Sequence, residues 1–441
     1  VTIYSTTNSL TRDLTRDAVN FSLKDNLAPT SITLNPTEQY QTMDGFGVAI
    51  TGATCFNLLQ MKPEDRHAFL TETFSDDKGF GFSYIRISIG CSDFSLSEYT
   101  CCDKKGIENF ALQSEEKEYI LPILKEILDI NPSIKIIAAP WTCPTWMKVK
   151  SLTDLTPFES WTNGQLNPAY YQDYATYFVK WVQAFNAEGI DIYAVTPQNE
   201  PLNRGNSASL YMSWEEQRDF VKTALGPKFK TAGLATKIYA YDHNYDYSDI
   251  ETEKNYPGKM YEDPAASQYL AGAAYHNYGG NREELLNMHK AYPEKELLFT
   301  ETSIGTWNSG RDLSKRLLED MKEVALGTIN NWCKGVIVWN LMLDNDRAPN
   351  REGGCQTCYG AVDISNSDYK TIIRNSHYYI IAHLSSVVKP GALRIGATGY
   401  ADSNIMYSAF ENPDGTYAFV LMNNNEKTKR ITSVSYTHLR A

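Results

Sequence analysis

The sequence predicts an α/β fold: a (β/α)8, or TIM, barrel with a small β-sandwich module built from both chain ends. Between Gly45 and Asn340, eight short apolar runs are each followed by a helical or loop-plus-helix stretch. These runs are apolar almost throughout rather than alternating, which is typical of parallel strands covered on both faces. Eight such units in about 300 residues favour a closed barrel.

The eight predicted strands follow one another along the chain. They span residues 45–50, 84–90, 135–141, 192–200, 237–243, 272–278, 297–301 and 335–340. An open, doubly wound sheet is the competing arrangement. No G-x-G-x-x-G follows the first strand, so nucleotide binding has no support.

Two segments between the strands carry clear helix signals. In residues 213–225, Ser213 and Glu216 form an S-x-x-E capping box ahead of an inward apolar stripe. In residues 114–130, apolar side chains share one helical face, and Pro122 is expected to kink the helix. Both segments therefore predict helices packed against the barrel.

Both chain ends predict strands outside the barrel. Alternating runs at 405–410 and 417–422 flank an NPDG turn, which is typical of a hairpin. We therefore expect an N-terminal segment contributing to the β-module, a catalytic barrel and a C-terminal β-module. The last residues show no closing strand pattern, so we expect that module to be incomplete. The three expected domains cover residues 1–44, 45–389 and 390–441.

Charge and hydropathy exclude several classes of partner. The chain has 41 Lys and Arg against 53 Asp and Glu, and the net charge of −12 repels nucleic acid and anionic lipid. No apolar run approaches the roughly 18 residues of a membrane span. The first residues lack a signal-peptide pattern, and we expect a protein that is secreted, periplasmic or at the cell surface, with its signal removed. We also expect a monomer.

The eight cysteines are too sparse for a disulfide scaffold and show no Cys/His metal pattern. Cys355 and Cys358 form a single C-x-x-C, whereas a zinc ribbon needs two such pairs. We favour a loop-tying disulfide or buried thiols over a metal there. We expect neither a metal nor a cofactor at the functional site.

Candidate catalytic residues lie at the ends of the predicted strands, because barrel active sites form there. Strand four ends with Asn199 and Glu200, and strand seven ends with Glu301. A single glutamate at such a position is more often a helix cap or a surface ion pair. Two glutamates facing one cavity are what glycoside cleavage needs, one as proton donor and one as nucleophile.

Aromatic and polar residues end the other strands. Sugars present apolar C–H faces and hydroxyl edges, so aromatic platforms mixed with polar groups suit them. Each aromatic residue taken alone would be expected in the core, but together they favour a sugar-binding rim. The candidates are Asp93, Phe94, Trp141, His276, Tyr278, Trp339 and Asn340.

Six ordered blocks of the chain resemble glycoside hydrolase family 30, the glucosylceramidase and endo-β-1,6-glucanase group. They are GFGVAITGA, RISIGCSDFS, PWTCPTWMK, TPQNEP, FTETS and WNLMLDNDRAPN. The resemblance implies a retaining β-glycosidase with Glu200 as acid/base and Glu301 as nucleophile. It also implies that Arg86 supports the nucleophile from beneath, and that a sugar subsite is lined by Asp93, Trp141, Asn199, His276, Tyr278 and Trp339.

The substrate prediction depends on departures within that family. Gly52 stands where members akin to glucosylceramidase usually carry Asp, and the loops at 95–113 and 351–363 are closer to bacterial β-1,6-glucanase-like members. The leading hypothesis is endo action on β-1,6-glucan. An exo-acting β-glucosidase or glucosylceramidase, and a non-catalytic carbohydrate-binding barrel, remain alternatives. A metal-dependent hydrolase is disfavoured, since the chain lacks H-x-H and H-E-x-x-H motifs.

The mechanism sets two expectations for the glutamates. A retaining pair holds its carboxyl groups about 5–5.5 Å apart. We also expect Glu200 to hold the proton with a raised pKa, because the nearby Glu301 anion and aromatic neighbours disfavour a second charge.

Overall fold

A computed structural model describes residues 1–20, 28–247 and 249–434. Its centre is a closed barrel in which each parallel strand pairs with the next in the chain, and the eighth pairs with the first. The predicted barrel is confirmed. Its strands, β1 to β8, are Gly45–Ala49, Tyr84–Ser88, Lys135–Ala139, Ala194–Val195, Lys237–Asn244, Leu270–His276, Glu296–Glu301 and Cys333–Asn340.

Close packing between β1 and β2 depends on a glycine. A Cβ atom on Gly47 would lie 1.7 Å from the carbonyl oxygen of Tyr84. Tyr84 is itself buried and packs inside the barrel with side chains from the other strands, such as Ile137 and Leu298. The barrel interior is therefore a filled core, and a cavity can open only at its ends.

Strand β4 is shorter than the sequence predicts. The apolar run suggested a strand over 192–200, but only Ala194–Val195 is in the sheet. Beyond it the chain turns, and Glu200 has a φ of 45°. The Glu200 N–H donates to the carbonyl of Asp242 across 2.9 Å. The end of the predicted strand is thus a strained turn that carries Asn199 and Glu200.

Helices surround the barrel. The predicted capping box is confirmed, since the Ser213 hydroxyl accepts from the Glu216 N–H and the Glu216 carboxylate accepts from the Ser213 N–H. A π-helical turn, Glu116–Ile120, precedes Pro122 and accommodates it. The α-helices are Gly52–Gln60, Pro63–Phe74, Leu121–Ile130, Tyr171–Ala187, Trp214–Phe220, Gly226–Thr231, Tyr256–Tyr261, Pro264–Ser267, Glu283–Ala291, Leu313–Asp320, Gly327–Asn330 and Ser376–Ser385.

A five-stranded sheet beside the barrel combines both ends of the chain. Its strands in spatial order are Tyr417–Asn423, Ile405–Glu411, Leu393–Gly399, Ser31–Thr42 and Thr432–Val434. The NPDG hairpin is confirmed, and Gly415 takes a φ of 79° in its turn. The residues on which the expectation of an incomplete module rests, 435–441, lie outside the described residues.

Short strands shape the loops at the barrel rim. Ile304–Gly305 follows β7 and pairs with Cys358–Tyr359, which follows β8. Cys355 and Cys358 form a disulfide bond, as one of the sequence interpretations expected. The other short strands are Thr2–Ser5, Thr15–Ala18, Lys148–Ser151, Asp154–Pro157, Gln165–Leu166, Met342–Asp344, Val362–Ile364 and Ile372–Arg374. Within the described part of the chain, none of the helices has the length and apolar character needed to cross a membrane.

Candidate active site

A cavity of about 330 Å³ opens at the C-terminal end of the barrel. Both predicted glutamates line it, together with Asp93, Tyr278 and Trp339. A second cavity of about 290 Å³ lies between β5, β6 and the flanking helices, and its lining does not include either glutamate. The first cavity is therefore where the predicted catalytic and sugar-binding residues come together.

The two glutamates lie close together within it. One carboxylate oxygen of Glu200 and one of Glu301 are within 4.8 Å of each other. Their exposed fractions are 7% and 6%. Two buried carboxylates at this spacing interact strongly, so their protonation states depend on each other.

Arg86 lies beneath this pair. Its Nη1 donates to Glu301 Oε2 across 2.6 Å, and its Nη2 donates to Asn199 Oδ1 across 2.7 Å. The guanidinium also lies 5.0 Å from the Trp141 ring and 5.4 Å from the Trp339 ring. Hydrogen bonds and aromatic faces therefore fix a buried positive charge below Glu301.

Asp242 connects several residues of the site, and we call it the hub because both of its carboxylate oxygens are hydrogen-bonded to neighbouring side chains. One of its oxygens accepts from Arg86 Nη2 at 2.9 Å and from Thr196 at 2.7 Å. The other accepts from Thr300 at 2.6 Å and lies 3.0 Å from His276 Nε2. Burial alone would raise the pKa of Asp242, but Arg86 and His276 hold it well below its usual range. Asp242 therefore stays ionised and aligns the groups around it.

His276 bridges Asp242 and Glu200. Its Nδ1 lies 3.2 Å from Glu200 Oε1, while its Nε2 faces Asp242. Burial alone would lower the pKa of His276, but the charge of Glu301 and the bonds to Asp242 and Glu200 raise it to about 9. The imidazole is therefore protonated at neutral pH and donates from both nitrogens.

This arrangement shifts the pKa of Glu200 in the free enzyme in the direction opposite to the expected one. Burial alone would raise the pKa of Glu200, but the hydrogen bond from His276 and the nearby His243 lower it to about 2. Burial raises the pKa of Glu301, although His276 and Arg86 oppose the shift. The expectation of a raised Glu200 pKa in the free enzyme is wrong, because the hydrogen bond from His276 favours the ionised carboxylate.

Two predicted rim residues line the cavity together with Glu200 and Glu301. The Tyr278 hydroxyl donates to Glu301 Oε1 across 2.9 Å. Asp93 has a buried Oδ1 that lacks a hydrogen-bond partner among the described residues. Burial, together with the charges of Glu301 and Glu200, raises the pKa of Asp93 to about 8. Asp93 thus offers a polar group whose protonation can change near neutral pH.

The remaining predicted residues form a layer below the cavity surface. Arg86, Asn199, His276 and Trp141 contact the residues that line the cavity but do not line it themselves. Phe94 packs edge-on against Trp339 with ring centroids 6.3 Å apart. Asn340 accepts a hydrogen bond from Thr51 across 2.6 Å, away from the cavity lining. The structure therefore does not bring Phe94 or Asn340 to a position where they contact a sugar.

Sequence reasoning missed several residues of the site. Asp242 and His243 end the fifth predicted strand, so the strand-end rule could have found them. Asn203 donates to Glu200 Oε2 across 2.7 Å from the following loop, where no motif marks it. Trp307 lines the cavity from the loop after β7 and was hidden among the many aromatic residues.

Glu200, His276 and Glu301 each place one ligand atom within 4.8 Å of the others, a spacing that can hold a metal ion. Both ring nitrogens of His276 are already engaged, and Arg86 binds Glu301. Protein cations therefore already pair with these carboxylates. The donor set fits proton-transfer chemistry better than metal binding.

Two carboxylates this close at the strand ends of a barrel can break a glycosidic bond by double displacement, which is the chemistry of glycoside hydrolases. The chain belongs to glycoside hydrolase family 30, as its resemblance indicated. The family's TIM-barrel domain matches residues 43–388, and its beta sandwich domain matches residues 391–437. The chain is therefore an O-glycosyl hydrolase.

The chain is similar to several proteins whose names state an activity. The solved structure of the endo-beta1,6-glucanase BT3312 has 86% sequence identity and a TM-score of 0.97, covering 99% of this chain and 94% of that one. An endo-1,6-beta-D-glucanase of Trichoderma harzianum is 32% identical over 87% of this chain and 78% of its own length. The lysosomal acid glucosylceramidase of Mus musculus is 26% identical over 91% of this chain and 78% of its own.

Proposed function

We propose that this chain is a retaining endo-β-1,6-glucanase in which Glu301 is the nucleophile and Glu200 the acid/base. The observation that carries the mechanism is that one carboxylate oxygen of Glu200 lies within 4.8 Å of one carboxylate oxygen of Glu301. Inverting enzymes keep their carboxyl groups about 6.5–9.5 Å apart to admit a water molecule. The substrate rests on the similarity to the endo-beta1,6-glucanase BT3312 and to the fungal enzyme.

In the first step, a Glu301 oxygen attacks the anomeric carbon and the glycosidic C–O bond breaks. Hydrogen bonds from Arg86 and Tyr278 favour the ionised form of Glu301 that this attack requires. The leaving oxygen receives a proton from Glu200. Because His276 lies 3.2 Å from Glu200, its proton can move onto the carboxylate before or during bond cleavage.

In the second step, Glu200 accepts a proton from water, which attacks the glycosyl-enzyme and releases Glu301. Glycosylation removes the negative charge of Glu301, one of the charges that raise the pKa of His276. The proton is therefore held less tightly in the intermediate than in the free enzyme. This change suits the switch of the Glu200–His276 pair from acid to base.

The sequence alone left two other functions open. An exo-acting β-glucosidase or glucosylceramidase uses the same two glutamates, and the mouse relative favours it. A non-catalytic carbohydrate-binding barrel is opposed by the burial of both glutamates beside Arg86, a costly arrangement that binding alone does not need. Gly52, which replaces the Asp of glucosylceramidase-like members, supports the glucanase over the lipid glucosidase.

We also propose the domain division 1–44, 45–389 and 390–441, which the pairing of Ser31–Thr42 with Leu393–Gly399 supports. We propose further that the protein acts as a monomer, secreted, periplasmic or at the cell surface. The Cys355–Cys358 disulfide supports this location, since such bonds persist in oxidising compartments.

Product analysis tests the proposal directly. The protein is incubated with β-1,6-, β-1,3- and β-1,4-glucans, a synthetic β-glucoside and a glucosyl lipid, with and without EDTA. We expect a ladder of oligosaccharides from β-1,6-glucan, with the β-anomer formed first, and no effect of the chelator. Release of glucose alone, initial formation of the α-anomer, or loss of activity in EDTA would each contradict part of the proposal.

A further inference from the structure

Trp307 differs from the other tryptophans near the catalytic glutamates. Trp141 and Trp339 are 2% and 4% exposed, whereas Trp307 is 53% exposed. Trp307 nevertheless lines the same cavity as Glu200 and Glu301. Because the ring borders the cavity, a ligand bound there can cover apolar area that the folded chain leaves exposed.

The loop around Trp307 is held in place rather than free. Gly305 pairs with Cys358, and the Thr306 N–H donates to the carbonyl of Thr357 across 3.0 Å. A Cβ atom on Gly305 would lie 1.9 Å from the Trp307 ring, so the indole rests directly on the glycine backbone. The ring is therefore positioned before any ligand arrives, which lowers the entropic cost of binding.

The partner loop is also fixed and lines the cavity. Cys355 and Cys358 both contribute to the lining, and their disulfide bond closes this loop. The Ser207 N–H donates to the carbonyl of Gly353 across 3.2 Å, which ties the loop to the segment after Glu200. Trp307 and the disulfide loop thus form one continuous wall beside the catalytic pair.

We propose that Trp307 and the Cys355–Cys358 loop form a binding subsite for a second β-glucosyl ring. This ring is adjacent to the one whose anomeric carbon Glu301 attacks. This inference rests on the proposed glucanase function and extends it. The indole face stacks on the C–H face of the sugar, and the loop sets the width of the subsite.

The polar lining of the cavity favours a sugar over an alkyl chain as the occupant. Asn244 lines the cavity, and its buried Oδ1 lacks a hydrogen-bond partner among the described residues. Ser303 and Asp93 add further hydroxyl and carboxyl groups to the lining. An alkyl chain would leave the unpartnered oxygens of Asn244 and Asp93 without hydrogen bonds, whereas sugar hydroxyls can bond to them.

The test compares two substrates that place the same β-glucosyl ring at the reacting position. Gentiotriose carries additional β-1,6-linked rings, and β-glucosyl fluoride carries none. In Trp307→Ala we expect the ratio of kcat/KM on gentiotriose to that on the fluoride to fall at least about tenfold, mainly through KM. Trp307→Tyr keeps an aromatic face and should recover most of the ratio.

Two further variants separate stacking from general damage. Gly305→Ala keeps Trp307 in the sequence, but the added methyl group displaces the indole ring. The ratio of kcat/KM values should therefore fall as in Trp307→Ala. Ile373→Ala changes a side chain that is 64% exposed and outside the cavity lining, and the ratio should stay at the wild-type value. Thermal unfolding of each variant checks that the fold is intact.

Equal losses on both substrates in Trp307→Ala would overturn the subsite. A larger loss on octyl β-glucoside than on gentiotriose would show an alkyl occupant and would also overturn it. Binding of gentiotriose to Glu301→Gln, followed by tryptophan fluorescence and calorimetry, tests the subsite without turnover. If wild type cleaves no β-glucoside but Trp307→Ala weakens this binding at least about tenfold, the catalytic proposal fails and the subsite stands.

Discussion

The guanidinium of Arg86 lies 2.9 Å from the carboxylate of Asp242, and neither side chain is exposed to solvent. This ion pair holds Arg86 on β2 against Asp242 on β5. The same guanidinium donates to Glu301 on β7. Asp242 also faces His276 on β6. The relative positions of Glu200 and Glu301 therefore depend on a residue whose side chain hydrogen-bonds to Arg86 and His276 rather than to either glutamate.

The substitution Asp242→Asn should damage both folding and catalysis. The variant side chain would present an amide to donors and would leave Arg86 and His276 with one fewer counter-charge. We expect the free energy of unfolding to fall by about 3–5 kcal/mol, as when one partner of a buried pair is removed. Urea unfolding measures this, with the exposed Asp154→Asn as the control. A loss no larger than that of the control would contradict the role of Asp242 as hub.

The roles of the two glutamates can be separated by their response to the leaving group. Glu301→Gln should abolish formation of the glycosyl-enzyme on every substrate. Glu200→Ala should lose about 10²–10⁴-fold on glucan but little on substrates whose leaving groups need no proton, and azide should restore turnover. Mass spectrometry of the trapped intermediate and steady-state rates measure these effects. Equal losses on all substrates in Glu200→Ala would contradict the assignment.

The sequence predicted the barrel, the shared sheet and both glutamates, because strand ends and apolar runs are local patterns. It overestimated β4, since the apolar run continues through a turn that only the left-handed Glu200 reveals. The pKa of Glu200 was predicted in the wrong direction because the hydrogen bond from His276 depends on tertiary geometry. Trp307 was missed for a similar reason, since exposure cannot be read from a loop sequence.

The raised pKa of His276 makes stability depend on pH. Its pKa in the folded protein, about 9, lies above the ordinary value near 6.5. The contribution to stability is therefore complete below pH 6.5 and is lost as the pH rises through about 9. A shift of this size corresponds to about 3 kcal/mol. Urea unfolding at pH 6 and pH 9.5 should show a decline in wild type that is much smaller in His276→Asn, and parallel declines would contradict the assignment.

Gly52 lies directly against the carboxyl group of Glu115. A Cβ atom on Gly52 would lie 1.9 Å from Glu115 Oε1. Glu115 cannot move freely, since its Oε2 accepts from the Leu96 N–H across 2.9 Å. The carboxyl is buried, and burial raises its pKa to about 7. The space that a side chain at position 52 would need is thus occupied by a carboxyl group that is costly to charge.

Introducing Gly52→Asp should therefore destabilise the protein through both contact and charge. We expect a loss of about 2–4 kcal/mol at pH 8, and a smaller loss at pH 5, where Glu115 is protonated and the repulsion is relieved. Gly52→Ala isolates the contact, since it adds the Cβ atom without the charge. In the double variant Gly52→Asp with Glu115→Ala, the losses should fall short of additivity by at least about 1 kcal/mol. Urea unfolding of wild type, Gly52→Asp, Glu115→Ala and the double variant measures this coupling, and strictly additive losses would show that Gly52 and Glu115 are independent.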